Sequence, residues 1–153
     1  MPWLLLLLLI AHSGFAQTNK EKTAVRQTID RLFEGMKKGD STMVKSVFHA
    51  SARLHTTAFD KNGQAILQEE SIEGFIKVIG TPHPEPYIEK IENYHIQIDD
   101  NLASVWTEYS FFVGERFSHC GVNAFQLFRE KEGVWKIIQV TDTRRKKPCK
   151  NQK

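Results

Sequence analysis

The chain has 153 residues, 41% of them apolar and 25% charged, with a formal net charge of +3. That is enough for one domain with a real core, and it excludes a disordered chain. The excess of base is local: Arg144, Arg145, Lys146, Lys147, Lys150 and Lys153 stand in a closing stretch without acids, so the body before them is acidic.

The unbroken apolar run from Leu4 to Ile10, followed by His12-Ser13-Gly14-Phe15-Ala16, reads as a secretory leader over residues 1–16. Small residues stand three before and one before a cut after Ala16. The run is too short to cross a bilayer as a finished helix, so an exported chain, periplasmic or secreted, is expected, with no membrane span after cleavage. The domain then covers residues 17–145 and a basic tail residues 146–153. Such a tail can hold nucleic acid or an anionic membrane surface; on an exported protein it reads more simply as a solvated chain end.

Thr18-Asn19-Lys20-Glu21 has the form of a capping box, and Val25, Ile29, Leu32, Phe33 and Met36 recur at helical spacing up to Gly39. Asp40 can cap a second, short helix, and Ser71 a third whose apolar positions are Ile72, Phe75, Ile76 and Ile79. Between these, Arg53 to Phe59 and Ala65 to Gln68 are short strands around the turn Asp60-Lys61-Asn62-Gly63. Pro82, Pro84 and Pro86 form a stiff connection. Tyr87 to Ile98 then alternates, with Tyr94, Ile96 and Ile98 on one side.

The stretch from Leu102 to Thr143 organises the rest, as three long strands joined by tight turns at Gly114-Glu115 and at residues 130–133. If Gly114-Glu115 is the whole first loop, Trp106 lies opposite Asn123, Glu108 opposite Gly121 and Ser110 opposite His119. Directly opposed residues share a face. One face then carries Trp106, Glu108, Ser110, His119 and Asn123, with Gly121 leaving room beside Glu108. The other carries Val105, Thr107, Tyr109, Phe111, Cys120, Val122 and Ala124. An even second loop brings Asp142 beside Asn123; an odd one brings Thr141. The element order, helices before a meander of long strands, indicates an α+β fold: a curved antiparallel sheet wrapped on N-terminal helices around a hollow.

Two cysteines in an exported chain invite a disulfide. Cys120 lies in the fifth strand and Cys149 just beyond the sixth, so a tail folding back could join them; the alternative is two free thiols.

The sequence resembles the nuclear transport factor 2-like superfamily, the cone-shaped fold shared with polyketide-cyclase-like, ketosteroid-isomerase-like and putative lumazine-binding proteins. The resemblance rests on the first helix, the Gly39-Asp40 break with Met43-Val44-Lys45-Ser46-Val47-Phe48, the third helix, and the hairpin Phe125-Gln126-Leu127-Phe128-Arg129 to Gly133-Val134-Trp135-Lys136-Ile137-Ile138. The stretch from Phe117 to Phe125 and the ending Asp142-Thr143-Arg144-Arg145 resemble small exported bacterial proteins. The superfamily hosts isomerases, dehydratases, cyclases and binding modules, so the fold alone does not choose an activity.

In this architecture the concave side lines a pocket, with Phe125, Leu127, Ile138 and Val140 deep and Trp106, Glu108, His119, Asn123 and Asp142 nearer the mouth. Ligand contacts are expected from Trp106, Asn123, His55 and Phe125. An enzyme could use Glu108 or Asp142 as base while His119 or Asn123 steadies a developing oxyanion. Each has a plainer reading: a wet strand carboxylate, a rim histidine, a structural hydrogen-bonded pair. No metal or cofactor is expected, since no HxH, HExxH or CxxC spacing and no phosphate-cradling glycine loop occurs. No interleaved basic and aromatic pattern suggests nucleic acid. The face with Val105, Tyr109, Phe111 and Val122 is too apolar for water, and the resemblance implies a homodimer through it. Three functions follow as expectations: an exported small-molecule-binding protein, an acid-base enzyme of isomerase, dehydratase or cyclase type on a small carbonyl compound, and a non-catalytic dimeric assembly module.

Overall fold

The computed structural model describes residues 13–146 and Cys149. Helix α1 (Ser13–Lys38) and helix α2 (Ser41–Val47) lead into strands β1 (Phe48–Phe59) and β2 (Ala65–Glu70). Helix α3 (Ile72–Gly80) precedes β3 (Tyr87–Asp99), β4 (Leu102–Val113), β5 (Arg116–Arg129) and β6 (Trp135–Thr143). The leader expected over residues 1–16 lies outside the described residues, apart from its last four, which belong to α1. Residues 147, 148 and 150–153 of the expected tail lie outside them too. Among the described residues no helix is long and apolar enough to cross a membrane.

Helix α1 buries Val25, Ile29, Leu32 and Met36 as one stripe, the spacing that keeps side chains on one face of a 3.6-residue helix. It starts before the expected capping box, and Glu21 accepts a hydrogen bond from Arg129 of β5 instead of closing a box. Gly39, at φ 65°, ends the helix. Asp40 N–H bonds Gly35 C=O at 2.9 Å and Gly39 N–H bonds Met36 C=O at 3.2 Å, the paired bonds of a left-handed helix terminus. Asp40 then caps α2 by accepting from Met43 N–H, and Ser71 caps α3 by accepting from Gly74 N–H.

The six strands form one sheet in the order β2-β1-β6-β5-β4-β3. β1 runs parallel to β6, and every other neighbouring pair is antiparallel. The stripe of α1 shares a core with Ala103, Val105, Phe125, Leu127, Trp135 and Ile137 on one face of this sheet. Cys120 and Cys149 form a disulfide with Cα atoms 6.2 Å apart. Just before Cys149, Arg145 exchanges backbone hydrogen bonds of 3.0 and 2.8 Å with Cys120, which extends the β5–β6 pairing beyond Thr143.

Candidate functional site

Three bulges decide which side chains meet inside. Gly114, at φ 59°, turns the chain as its lack of a side chain permits, and Val113 faces Arg116 as expected. Ser118 is then an extra residue, because Phe112 faces Phe117 but Phe111 faces His119. Beyond it each partner is displaced by one, so Tyr109 faces Gly121, Thr107 faces Asn123 and Trp106 faces Ala124. A one-residue shift moves a whole set of side chains to the other face.

Tyr109, Phe111, His119, Asn123 and Phe125 therefore turn toward the helices, while Trp106, Glu108 and Ser110 turn away. The expected catalytic role of Glu108 and ligand contact of Trp106 are corrected on this ground: Trp106 is 50% exposed, and neither residue borders the interior cavity. The face expected to pair two copies is corrected as well. Val105 and Tyr109 are 1% and 4% exposed, Phe111 packs against the core, and Val122 stands on the opposite side from all three. Gly121 makes room for the chain itself: a Cβ there would lie 1.7 Å from Thr143 O and 2.8 Å from Tyr109 Cε1.

In β3, Asn93 adopts φ 53°, a left-handed conformation that asparagine tolerates better than most residues. It and Tyr94 fall between the pairs Glu92–Glu108 and His95–Trp106. The inserted residue inverts the alternation upstream, so Glu89, opposite Phe111, joins Tyr94, Ile96 and Ile98 on the inner face. In β6, the loop between the paired residues Arg129 and Trp135 is odd and alone would set Thr141 opposite Asn123. Ile138, extra between the pairs Gln126–Gln139 and Leu127–Ile137, restores Asp142 to that place.

These side chains surround a cavity of about 360 Å³. Its apolar wall includes Phe33 and Met36 of α1, Phe75 and Ile79 of α3, and Phe125 and Val140 of the sheet. Its polar end gathers Glu89, Tyr109, His119, Asn123, Asp142 and Arg144. His55 contributes to the wall from opposite Thr141, although Leu54 and Thr56 are the β1 residues that share the face of Val140 and Asp142. A second hollow of about 300 Å³ lies between α1 and the β5–β6 turn, beside Gln27, Arg31 and Val134. Its described lining offers Gln27, Thr28, Arg31 and Ser46 as polar groups, without a carboxylate or an imidazole.

Asp142 is closely bonded. It accepts from Thr56 Oγ1, from Arg144 Nε at 2.9 Å and from Tyr109 OH at 3.2 Å. The same phenol reaches Thr143 O at 2.9 Å, so its one proton lies between two acceptors. Burial, with Asp142 and Glu89 nearby, raises the Tyr109 phenol well above its ordinary value and keeps it protonated. Burial lowers the His119 imidazole, as does Arg144, so the neutral ring is favoured. That ring stands edge-on to Tyr109 at 5.7 Å and tilted over Phe111 at 5.0 Å, with Nδ1 3.0 Å from Ser118 Oγ.

Glu89 is the residue that sequence reasoning missed. Part-buried as a whole residue, it has its carboxyl in the enclosed part of the cavity, where Oε1 accepts a 2.7 Å bond from Asn123 Nδ2. Loss of water pushes its pKa up from 4.5 to about 7; the Asn123 bond opposes this, and Asp142 adds to it more than Arg144 takes away. Asn123 is itself only 4% exposed. Among the described residues no three His, Cys, Asp or Glu side chains are grouped to hold a metal ion.

A family model described as "Putative lumazine-binding" matches residues 20–141. No curated protein matches the sequence. A nuclear transport factor 2-like protein of unknown function from Shewanella baltica superposes with a TM-score of 0.64 at 22% identity, over 84% of this chain and 97% of that one. A nuclear transport factor 2-like protein with a cystatin-like fold from Novosphingobium aromaticivorans gives 0.71 at 9% identity, over 93% and 95%. A putative ketosteroid isomerase from Shewanella frigidimarina gives 0.58 at 12% identity, over 80% and 96%. At these identities the likeness is one of fold.

Proposed function

The chain belongs to the putative lumazine-binding family of the nuclear transport factor 2-like superfamily, and from that premise we propose that it is an exported protein whose interior cavity binds a small molecule. One observation carries the binding reading: a cavity of about 360 Å³ is apolar along most of its wall and gathers its polar groups at one end. That is the common form of a small-molecule site. The apolar wall supplies affinity, and Glu89, Asn123 and His119 supply direction. The test is to purify the protein from its source, release bound compounds and identify them by mass spectrometry. A compound retained by the native chain and lost on Asn123→Leu supports the reading; an empty native chain that also ignores a metabolite mixture sinks it.

Export is supported by the apolar leader and by the Cys120–Cys149 disulfide, a bond that persists in oxidising compartments. The mass of the protein from an extracellular or periplasmic fraction checks it, with cleavage after Ala16 expected.

A second reading is favoured by Glu89. A carboxyl near pKa 7 can both accept and return a proton at neutral pH, which suits acid-base chemistry on a small carbonyl compound. Asp142 is less apt as the base, because three donors already occupy it. In this reading His119 or Asn123 steadies the developing oxyanion. Solvent deuterium should enter the acidic C–H position of a turned-over carbonyl compound, and Glu89→Gln should abolish the exchange while the chain stays folded.

A further inference from the structure

The charges around the cavity are unevenly answered. Among the described residues, Arg144 is the one basic side chain other than histidine in the lining, and its Nε is bonded to Asp142 at 2.9 Å. The hydrogen-bond partner of Glu89 among the described residues is neutral, the Asn123 amide. Glu70 adds a further acid at the rim from β2, and α1 and α3 bring only apolar groups to the lining. Among the described residues the other titratable groups at this lining are Tyr109 from β4, His119 from β5, His55 from β1 and Tyr87 from β3, with His83 stacked on Tyr87 at 4.1 Å and Tyr94 farther along β3. Burial raises the phenols of Tyr94 and Tyr109, which keeps both uncharged at neutral pH, and burial favours the neutral form of His119. The described lining thus sets three carboxylates, Glu70, Glu89 and Asp142, against the single guanidinium of Arg144, a balance that favours a cationic ligand over an anionic one.

The surroundings of Glu89 are aromatic. Phe111 stands directly across from it in the sheet, and Tyr87 lies two residues back on the same face, its ring centroid 6.0 Å from that of Phe111. His119 continues the row at 5.0 Å from Phe111. Ring faces attract cations, and a carboxylate set among them is the combination by which proteins hold organic ammonium groups. We infer that the cavity takes an organic ammonium compound, its cationic head against Glu89, Tyr87 and Phe111 and its apolar body toward Phe33, Phe75 and Val140. This rests on the binding reading above and names the ligand class for that same cavity. It also adds a counter-charge placed directly at Glu89 to the smaller help of Arg144, whose Nε is bonded to Asp142.

Three probes of similar size separate the possibilities: benzyltrimethylammonium, benzyl alcohol and benzoate. Each is titrated into the full chain by calorimetry, with the ring resonances of Phe111 and His119 followed by NMR. The permanent cation should bind at least about tenfold tighter than either other probe. Its own charge does not change with pH, so its affinity should rise about tenfold between about pH 6 and about pH 8 as Glu89 ionises. Glu89→Gln, confirmed folded by thermal melting, should remove both the preference and the pH dependence. Benzyl alcohol binding as well as the cation, with Glu89→Gln indifferent, would overturn the ammonium inference and leave a small-molecule cavity standing. No probe shifting Phe111 or His119 even at saturating concentration would overturn both.

Discussion

Strands β4, β5 and β6 run through two regions that are filled in different ways. Toward the β5–β6 turn, Ala103, Leu127, Trp135 and Ile137 are buried in one cluster with Val25 and Ile29. Toward the β4–β5 turn, Tyr109, His119, Asn123 and Asp142 border empty space, and hydrogen bonds rather than packed methyl groups hold them in place. The contrast teaches a division of labour within one sheet. The solid end supplies stability through burial, so the hollow end can hold a desolvated acid that a chain under stability constraint alone would not keep.

The division can be broken or sharpened in four ways. The largest difference should come from paired truncations. Leu127→Ala in the solid end should lower unfolding free energy by roughly 2–5 kcal/mol, the usual cost of a cavity in a packed core. Val140→Ala, whose side chain already borders space, should cost about 1 kcal/mol or less by the same urea titration, because little new void is made. Equal losses would show that the two ends are not distinct.

Reducing the disulfide tests how the hollow end is closed. Cys120 and Cys149 are 29 residues apart, and opening a loop of that size should cost about 3 kcal/mol. Cys149→Ser should show the same loss and no further response to reductant. A melt unaffected by either change would mean that the β5–β6 pairing past Thr143 holds by itself.

The third test uses pH. The fold favours the acid form of Glu89, so its contribution to stability is fully present below about pH 4.5 and is lost as pH rises through about 7. The loss should be on the order of 2–3 kcal/mol, read from urea midpoints at about pH 5 and pH 8. Glu89→Gln should flatten that trend. What then remains should be the opposite, smaller trend of His119, whose stabilising neutral ring is lost on acidification. The smallest effect belongs to Trp106: Trp106→Ser on the outer face should leave stability within about 0.5 kcal/mol and probe binding unchanged.

Much of the fold was legible in the chain. The stripe of α1, the caps at Asp40 and Ser71, and the Gly114-Glu115 turn follow from local chemistry, and they stand where local reasoning puts them. The site was legible in part. His119, Asn123, Asp142, Phe125 and His55 border the cavity, but Trp106 and Glu108 do not. A signal for the correct face was present in β4: Ala103, Val105 and Tyr109 form the more apolar set, which is the set a sheet turns inward. The left-handed Asn93 was the corresponding clue for Glu89, although asparagine occurs in many strands without inserting a residue.

Composition and short-range pattern by themselves determined the element types, their order, the helix boundaries set by capping and the α+β class, because each depends on interactions within a few residues. Only the tertiary structure decided which face of each strand looks inward. Side chains alternate with a period of two, so a single added residue at Ser118, Asn93 or Ile138 reverses everything beyond it, and whether a strand absorbs that residue depends on the partner it must match across the sheet.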